Sequence, residues 1–302
     1  MGVYHGHDSY LTYGKESSFG VKASSPTKWI GIVQSFSPEE TNNIQKQYGL
    51  GSRNFQQARV GARTVSGSFE YLVQDLKMLE FALGSVSTTD NGDGTYTHTF
   101  TEANDLPSMT LQAGVLGSPN FVRDYVGCKV DKLAITAEKE EALVAEVDYL
   151  AKFVEDGTTG TAPVADTSSY FMFYEGTVTV NGVQQAHVEE FELEITNGLT
   201  ALFAVNGENR PAVIQEGNRE YALSMSFMFA NSAQYDLWKN GTEFDVELKF
   251  VGQNGRELVI TCNNCKYDSN ELELGSDDYL VQELEAVVQS VTATYKTTEA
   301  TL

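Results

Sequence analysis

Val65-Ser66-Gly67-Ser68-Phe69-Glu70-Tyr71-Leu72 and Leu223-Ser224-Met225-Ser226-Phe227-Met228-Phe229-Ala230 decide how the chain reads, because one can be laid on the other with serine on serine and aromatic on aromatic. In the first, Val65, Gly67, Phe69 and Tyr71 share one phase of a two-residue alternation, the period of a half-buried strand. Farther on, Cys128-Lys129-Val130-Asp131 matches Cys265-Lys266-Tyr267-Asp268, and Leu143-Val144-Ala145-Glu146-Val147-Asp148 matches Leu280-Val281-Gln282-Glu283-Leu284-Glu285. The last two matches share a spacing of 137 residues, 128 to 265 and 143 to 280, whereas Ser68 to Ser226 spans 158. The 21-residue difference places an insertion in the first copy. The chain therefore reads as one β design used twice, in domains 1–157 and 158–302, with an inserted hairpin at about 86–106.

Each copy places a short helix after its serine strand. Leu76, Leu79, Phe81 and Leu83, with Met78 beside them, end at Gly84; in the second copy Asn231 is the N-cap, followed by Tyr235, Leu237, Trp238 and Gly241. Glycine after the last apolar residue is a helix stop. Thr88 to Phe100 carries Asn91-Gly92 and Asp93-Gly94, the turn dipeptides of a hairpin. Trp29 to Phe36 is apolar enough for a strand, and Met1 to Thr27 reads as an arm or edge strand. A closing strand puts Val147, Tyr149, Ala151 and Phe153 in one phase, and Leu284 to Tyr295 behaves alike. Glu155 to Ser169, with its Gly, Thr, Ala and Pro163, is the expected linker.

Composition limits function. With 20 Lys+Arg against 42 Asp+Glu the net charge is −22, of which residues 1–157 carry −7 and the remainder −15. Such acidity repels polyanions and argues against tight nucleic-acid binding. Halophily is a rival cause of the acidity. No apolar run reaches the ~18–20 residues of a membrane helix. The start lacks the pattern of a secretion signal, so the expected setting is the cytoplasm. Three cysteines supply no disulfide framework.

Thr41 to Arg63 stands apart: its 23 residues hold Lys46, Arg53, Arg59 and Arg63 and no acid. With little to fill a core, it should be a long excursion with work to do. Its counterpart around Ala204 to Arg219 reads as shorter and mixes Arg210 and Arg219 with Glu208 and Glu216.

Chemical motifs are sparse. Cys262-Asn263-Asn264-Cys265 has only Cys128 left as a further thiol, and it ends the apparent strand Leu258 to Thr261, where buried thiols are the simpler reading than zinc or redox chemistry. Asp90 to Gly94 fails calcium-loop spacing, with Gly92 and Gly94 where ligands should stand. His5 and His7 with Asp8 make an H-x-H on a solvated tail, while His98 and His187 lie in apparent strands with no cysteine or serine pattern nearby. Gly49-Leu50-Gly51 lacks the third glycine of a dinucleotide loop. Glu140-Glu141, Glu189-Glu190 and Asp277-Asp278 are paired acids that on a strand would point to opposite faces and so not converge, and a solvated loop is their simpler role. No catalytic residue, cofactor site or metal site is assigned.

With strand, helix and glycine turn together, Ser66 to Leu72 through Leu83-Gly84-Ser85 resembles the core of tail tube proteins from tailed bacterial and archaeal viruses. Asp93 to Phe100, followed by Leu106-Pro107-Ser108-Met109-Thr110-Leu111, is similar to the middle of that family. The likeness covers most of 28–155 and, more faintly, 170–295; the departure is the duplication, since most members carry one tube domain. The resemblance implies two tandem β-sandwich or half-barrel domains, each with a flanking helix, and no enzyme. It implies a structural virion protein, assembled in the host cytoplasm into rings whose inner sheets join, with three chains giving six domains. Stacked rings would form a tube with an acidic lumen through which double-stranded DNA passes without specific binding. Lys46, Arg53, Arg59 and Arg63 would lie on the loop that meets a neighbouring subunit or ring. Competing readings are a tandem β-sandwich adhesion module, a tube-tip or baseplate hub protein, and an enzyme on a β scaffold.

Overall fold

A computed structural model describes residues 4–117, 120–157, 163–272 and 279–301. Asp277-Asp278 and the middle of the expected linker lie outside them.

The first half runs β1 (Ser9–Lys15), β2 (Lys28–Trp29), β3 (Ile32–Thr41), the small hairpin β4 (Gln45–Gln47) and β5 (Gln57–Arg59), β6 (Thr64–Leu72) and α1 (Lys77–Leu83). It continues with β7 (Gly84–Asp90), β8 (Tyr96–Glu102), β9 (Met109–Val115), β10 (Phe121–Glu138), β11 (Val144–Ala151) and β12 (Phe153–Asp156). The second half has β13 (Gly176–Val180), β14 (Val183–Gln185), β15 (Val188–Thr196), a second small hairpin of β16 (Thr200–Leu202) and β17 (Val213–Gln215), and β18 (Glu220–Met228). Then come α2 (Ala233–Asn240), β19 (Phe244–Val251), β20 (Glu257–Leu272), β21 (Val281–Val287) and β22 (Ser290–Thr297).

One antiparallel sheet runs the length of the molecule in the order β3-β6-β11-β10-β15-β18-β21-β20. Its left four strands and its right four have the same order, and β10 joins β15 in the middle. Over each block lies an outer sheet: β2-β1-β9-β10-β12 on the first, β14-β13-β19-β20-β22-β8-β7 on the second. The long strands β10 and β20 serve both layers. Each bends at the crossing, where a bulge needs a left-handed residue: Gly127 at φ 70° in one, Asn264 at φ 51° in the other.

The core fills the space between layers because the strands alternate. On β6 and β11, Val65, Phe69, Tyr71, Val147 and Tyr149 are buried, and Ser66, Ser68, Glu70, Glu146 and Asp148 face the other way. Phe191 of the inner sheet meets Phe250 of the outer at 6.0 Å, and Phe36 meets Tyr125 at 5.6 Å edge-on. Burying one such ring contributes about 1.5–3 kcal/mol. α1 is almost wholly apolar and buried, and Gly84 at φ 113° stops it as expected.

Several expectations change. The first stretch is no arm, since β1 sits inside its sheet between β2 and β9 with Leu11 and Tyr13 in the core. His187 falls between β14 and β15 and is exposed, while His98 is buried on β8 and bonded to Thr88 and the Glu299 carbonyl. Ser232 takes the N-cap position of α2, and Asn231 instead accepts from the Ala233 amide at 2.9 Å. Residues 42–63 and 197–219, bounded by matching strands, differ in length by one residue, so the second loop is not the shorter. Across from Asp148 stands Ser68, and across from its equivalent Glu285 stands Ser224, so the serine strands are related by 68 to 224, two residues from the alignment of Ser68 with Ser226.

Candidate inter-subunit surface

The outward face of the inner sheet is acidic. Glu190, Glu192 and Glu194 succeed one another along β15, with Glu146 and Asp148 to one side and Glu283 and Glu285 to the other. Glu190, Glu192, Glu283 and Glu285 ring a shallow hollow floored by Ser224 and Ser226. Crowding shows in protonation: partial burial, then Glu146, pushes the Asp148 carboxyl up, and burial with Glu138, Glu192 and Glu283 does the same to Glu190. Burial also works against Glu194, but hydrogen bonds from Lys132 and Thr196 outweigh it and hold its carboxyl below the usual range.

Lys132 belongs to the joint between the halves, where β10 meets β15 with Lys132 opposite Thr196 and Ala134 opposite Glu194. Its Nζ lies 2.6 Å from Glu194 Oε2. At the end of that ladder Asn197 is buried. Its amide donates to the Asp131 carbonyl at 2.7 Å, and Nδ2 donates to the carbonyls of Val130 and Ala82, both at 3.1 Å. Asp131 Oδ1 accepts from the Leu199 amide at 2.7 Å, and Arg219 Nε donates to Asn197 Oδ1 at 3.0 Å. The loop 197–219 is then clamped across the joint by Lys129, which reaches Glu216 at 2.6 Å and the Ile214 carbonyl at 3.1 Å.

The loop of the first half has the same base but a freer tip. The Gly61 amide donates to the Asn42 carbonyl at 3.1 Å, as Gly217 does to Asn197 at 3.0 Å, and Asn43 takes the left-handed backbone of Gly198. Beyond this base, Lys46, Arg53 and Arg59 are exposed along the β4–β5 hairpin, with Lys46 5.6 Å from the centre of the Phe55 ring. Tyr48 and Leu50 are exposed beside them. Arg63 lies at the base, its amide donating to the Asn209 carbonyl at 2.6 Å. The four cations predicted from sequence thus lie from base to tip of one loop, without converging on a pocket.

The inner sheet ends in two edges. β3 pairs only with β6, and residues 266–272 of β20 pair only with β21, among the described residues. Sequence reasoning did not find these edges, though Pro38 in β3 was a signal, because proline is tolerated in a sheet where no ladder amide is required.

The thiols have no free chemistry. Cys128 donates to the Tyr125 carbonyl and Cys265 to the Cys262 carbonyl, each across the same bulge, at 3.3 and 3.4 Å. β20 runs on through them, so the cysteines do not end a strand. Burial pushes Cys128 and Cys262 well above the ordinary thiol range and Cys265 up to about 12. In the Asp90–Gly94 turn, Asp90 accepts from the Gly92 amide and Asp93 from the Thr95 amide, which occupies both carboxylates locally. Among the described residues no helix is long and apolar enough to cross a membrane.

Layered antiparallel sheets, with an acidic face and two unpaired edges among the described residues, define a mainly β protein of the sandwich class. The chain belongs to the phage tail tube protein family, whose model matches residues 6–292. It is a structural component of a virus tail. Among solved structures it is similar to a chain of the six-fold symmetrised anti-feeding prophage baseplate, at 12% identity, over 39% of this chain and 89% of that one, with a TM-score of 0.32. No curated protein matches the chain.

Proposed function

We propose that halves 1–157 and 158–302 act as two tube units in one chain, that three chains close into a ring of six units, and that rings stack into a tube that conducts double-stranded DNA. The observation that carries this is the eight-stranded inner sheet: two like blocks already joined edge to edge, acidic on one face and open at both ends. A head-to-tail contact generates a ring when its repeated rotation closes on itself. Three sheets of this size, at ~4.8 Å per strand, make a barrel of at least roughly 37 Å backbone diameter, and wider as the strands tilt, enough for a duplex. The acidic face would line it, and like charge keeps DNA from lodging there. Closure also removes the open edges that a lone sheet must protect.

The exposed hairpin with Lys46, Arg53 and Arg59 suits contact between stacked rings, where its cations would meet an acidic neighbour. Assembly would take place in the host cytoplasm. Negative-stain microscopy of the purified protein tests the reading: annular particles or tubes with near-sixfold end views support it, and a monodisperse single chain at every concentration removes it. Assembled particles should also fail to retain duplex DNA at moderate salt, and tight retention would refute the lumen.

A further inference from the structure

The joint of β10 with β15 inside the chain offers a template for the two unpaired edges of the inner sheet. Bulge for bulge, β10 corresponds to β20 at a spacing of 137, since the ladder of each with its neighbour shifts at the same place, between Val130 and Lys132 in one and Tyr267 and Ser269 in the other. β3 corresponds to β15 at a spacing of 155, with matching shifts between Val33 and Ser35 and between Val188 and Glu190. These relations convert each contact across β10 and β15 into one across β20 and the β3 of another molecule.

We propose, resting on the ring reading, that a second copy of this chain docks its β3 edge antiparallel on residues Ser269–Leu272 with Ser269 opposite Thr41 and Glu271 opposite Glu39. Ser269 then occupies the place of Lys132, and Thr41 that of Thr196. Asn42 occupies the place of Asn197: its amide meets the Asp268 carbonyl and its side chain the Tyr267 carbonyl. Arg63 stands where Arg219 braces that asparagine. The difference in exposure supports the assignment, because Asn197 is buried and Arg219 half-buried, whereas Asn42, Arg63 and Asp268 are exposed in the single chain. The Asp268 carbonyl already accepts the Trp238 indole N–H at 3.2 Å, and a carbonyl has a second lone pair for Asn42.

The two joints differ in strength. Between chains Ser269 replaces the lysine that neutralises Glu194, and Glu271 faces Glu39 as like charges across a ladder. Pro38 stands where Leu193 pairs with Ile135, in the phase of Asn197, whose amide points across the joint. Over Ser269–Leu272 the joint between chains therefore forms one ladder bond fewer than the matching stretch of the internal joint, and it opens first.

Paired cysteines test the register. Thr41 and Ser269 fall at a non-hydrogen-bonded pair, where Cα atoms approach to ~4.5 Å and a disulfide fits. The native cysteines are all buried. In Thr41→Cys/Ser269→Cys particles, mild oxidation should convert most chains to covalent trimers on a denaturing gel, and Glu39→Cys/Ser269→Cys, two residues out of register, should convert few. Rings seen by microscopy without trimers from the first pair overturn the register while leaving the ring intact; absence of rings in the unmodified protein overturns both. As a second measurement, Ser269→Lys recreates, diagonally with Glu39, the pair that Lys132 makes with Glu194, and should lower the concentration for half-assembly several-fold. An unchanged or higher concentration counts against the joint.

Discussion

Asn42 and Asn197 are the same residue in two situations, and replacing each with alanine separates folding from assembly. At Asn197 the change strands the Val130 and Ala82 carbonyls in the interior and frees Arg219, at a cost of about 2–4 kcal/mol. At Asn42, exposed in the single chain, the cost should stay within ~0.5 kcal/mol. Urea unfolding of disassembled protein checks both, and equal losses would show that the two loops are not alike. The carboxylates of the acidic face add a pH signature. Asp148 and Glu190, with raised values, hold protons in the folded chain that the unfolded chain has released, so stability rises as pH falls from neutral toward the ordinary carboxylate range near ~4. Glu194 and Glu216 are held low, and their contribution disappears as pH falls further, through their folded values. Melting temperature should therefore peak well below neutrality, close to the ordinary carboxylate range, and Asp148→Asn/Glu190→Gln should flatten the rise. At this scale the sequence was misleading where one position changed identity: Cys262 stands where Tyr125 stands in the other half, and so a bulge acquired the look of a C-x-x-C motif.

Among elements, the helix stop at Gly84 is also the first residue of β7. Its φ of 113° suits glycine, and a Cβ there would come within 2.8 Å of Ala103 Cβ. Gly84→Ala should cost about 1–3 kcal/mol, whereas Gly92→Ala, in open space at the hairpin tip, should cost ~1 kcal/mol. Thermal melts that rank them the other way would contradict this account of the junction. The β7–β8 hairpin that starts here lies against β22, so the insertion in the first half extends the outer sheet of the second. Turn dipeptides made the hairpin legible, but nothing local announces where its outer edge will pair. The strands after the insertion were legible because β10–β11 and β20–β21 align without a gap and even share a bulge. The serine strands were found but set two residues out. A slip of two keeps every side chain on its own face, so Ser-x-Ser fits either way. β3 and β15 escaped notice as a pair, since what they share, Val33 with Val188, Phe36 with Phe191, Glu39 with Glu194 and Thr41 with Thr196, is scattered along the strands and falls at a spacing other than that of the later matches.

At the scale of the whole molecule, acids crowd the outward face of the inner sheet, and Lys46, Arg53 and Arg59 ride exposed on one hairpin. Arg53→Glu/Arg59→Glu should leave single rings intact and shorten or abolish tubes, because the changes lie beyond the loop base that the lateral joint uses. Particle lengths in micrographs read the result, and tubes of normal length would take stacking away from the hairpin. Since only the first half carries the β7–β8 ribbon, a closed annulus of three chains would be six-sided in backbone yet three-sided in decoration. Any collar, sheath or tip component that grips the ribbon would bind in a stoichiometry of three, so a trimeric cap could seat on this tube without breaking symmetry.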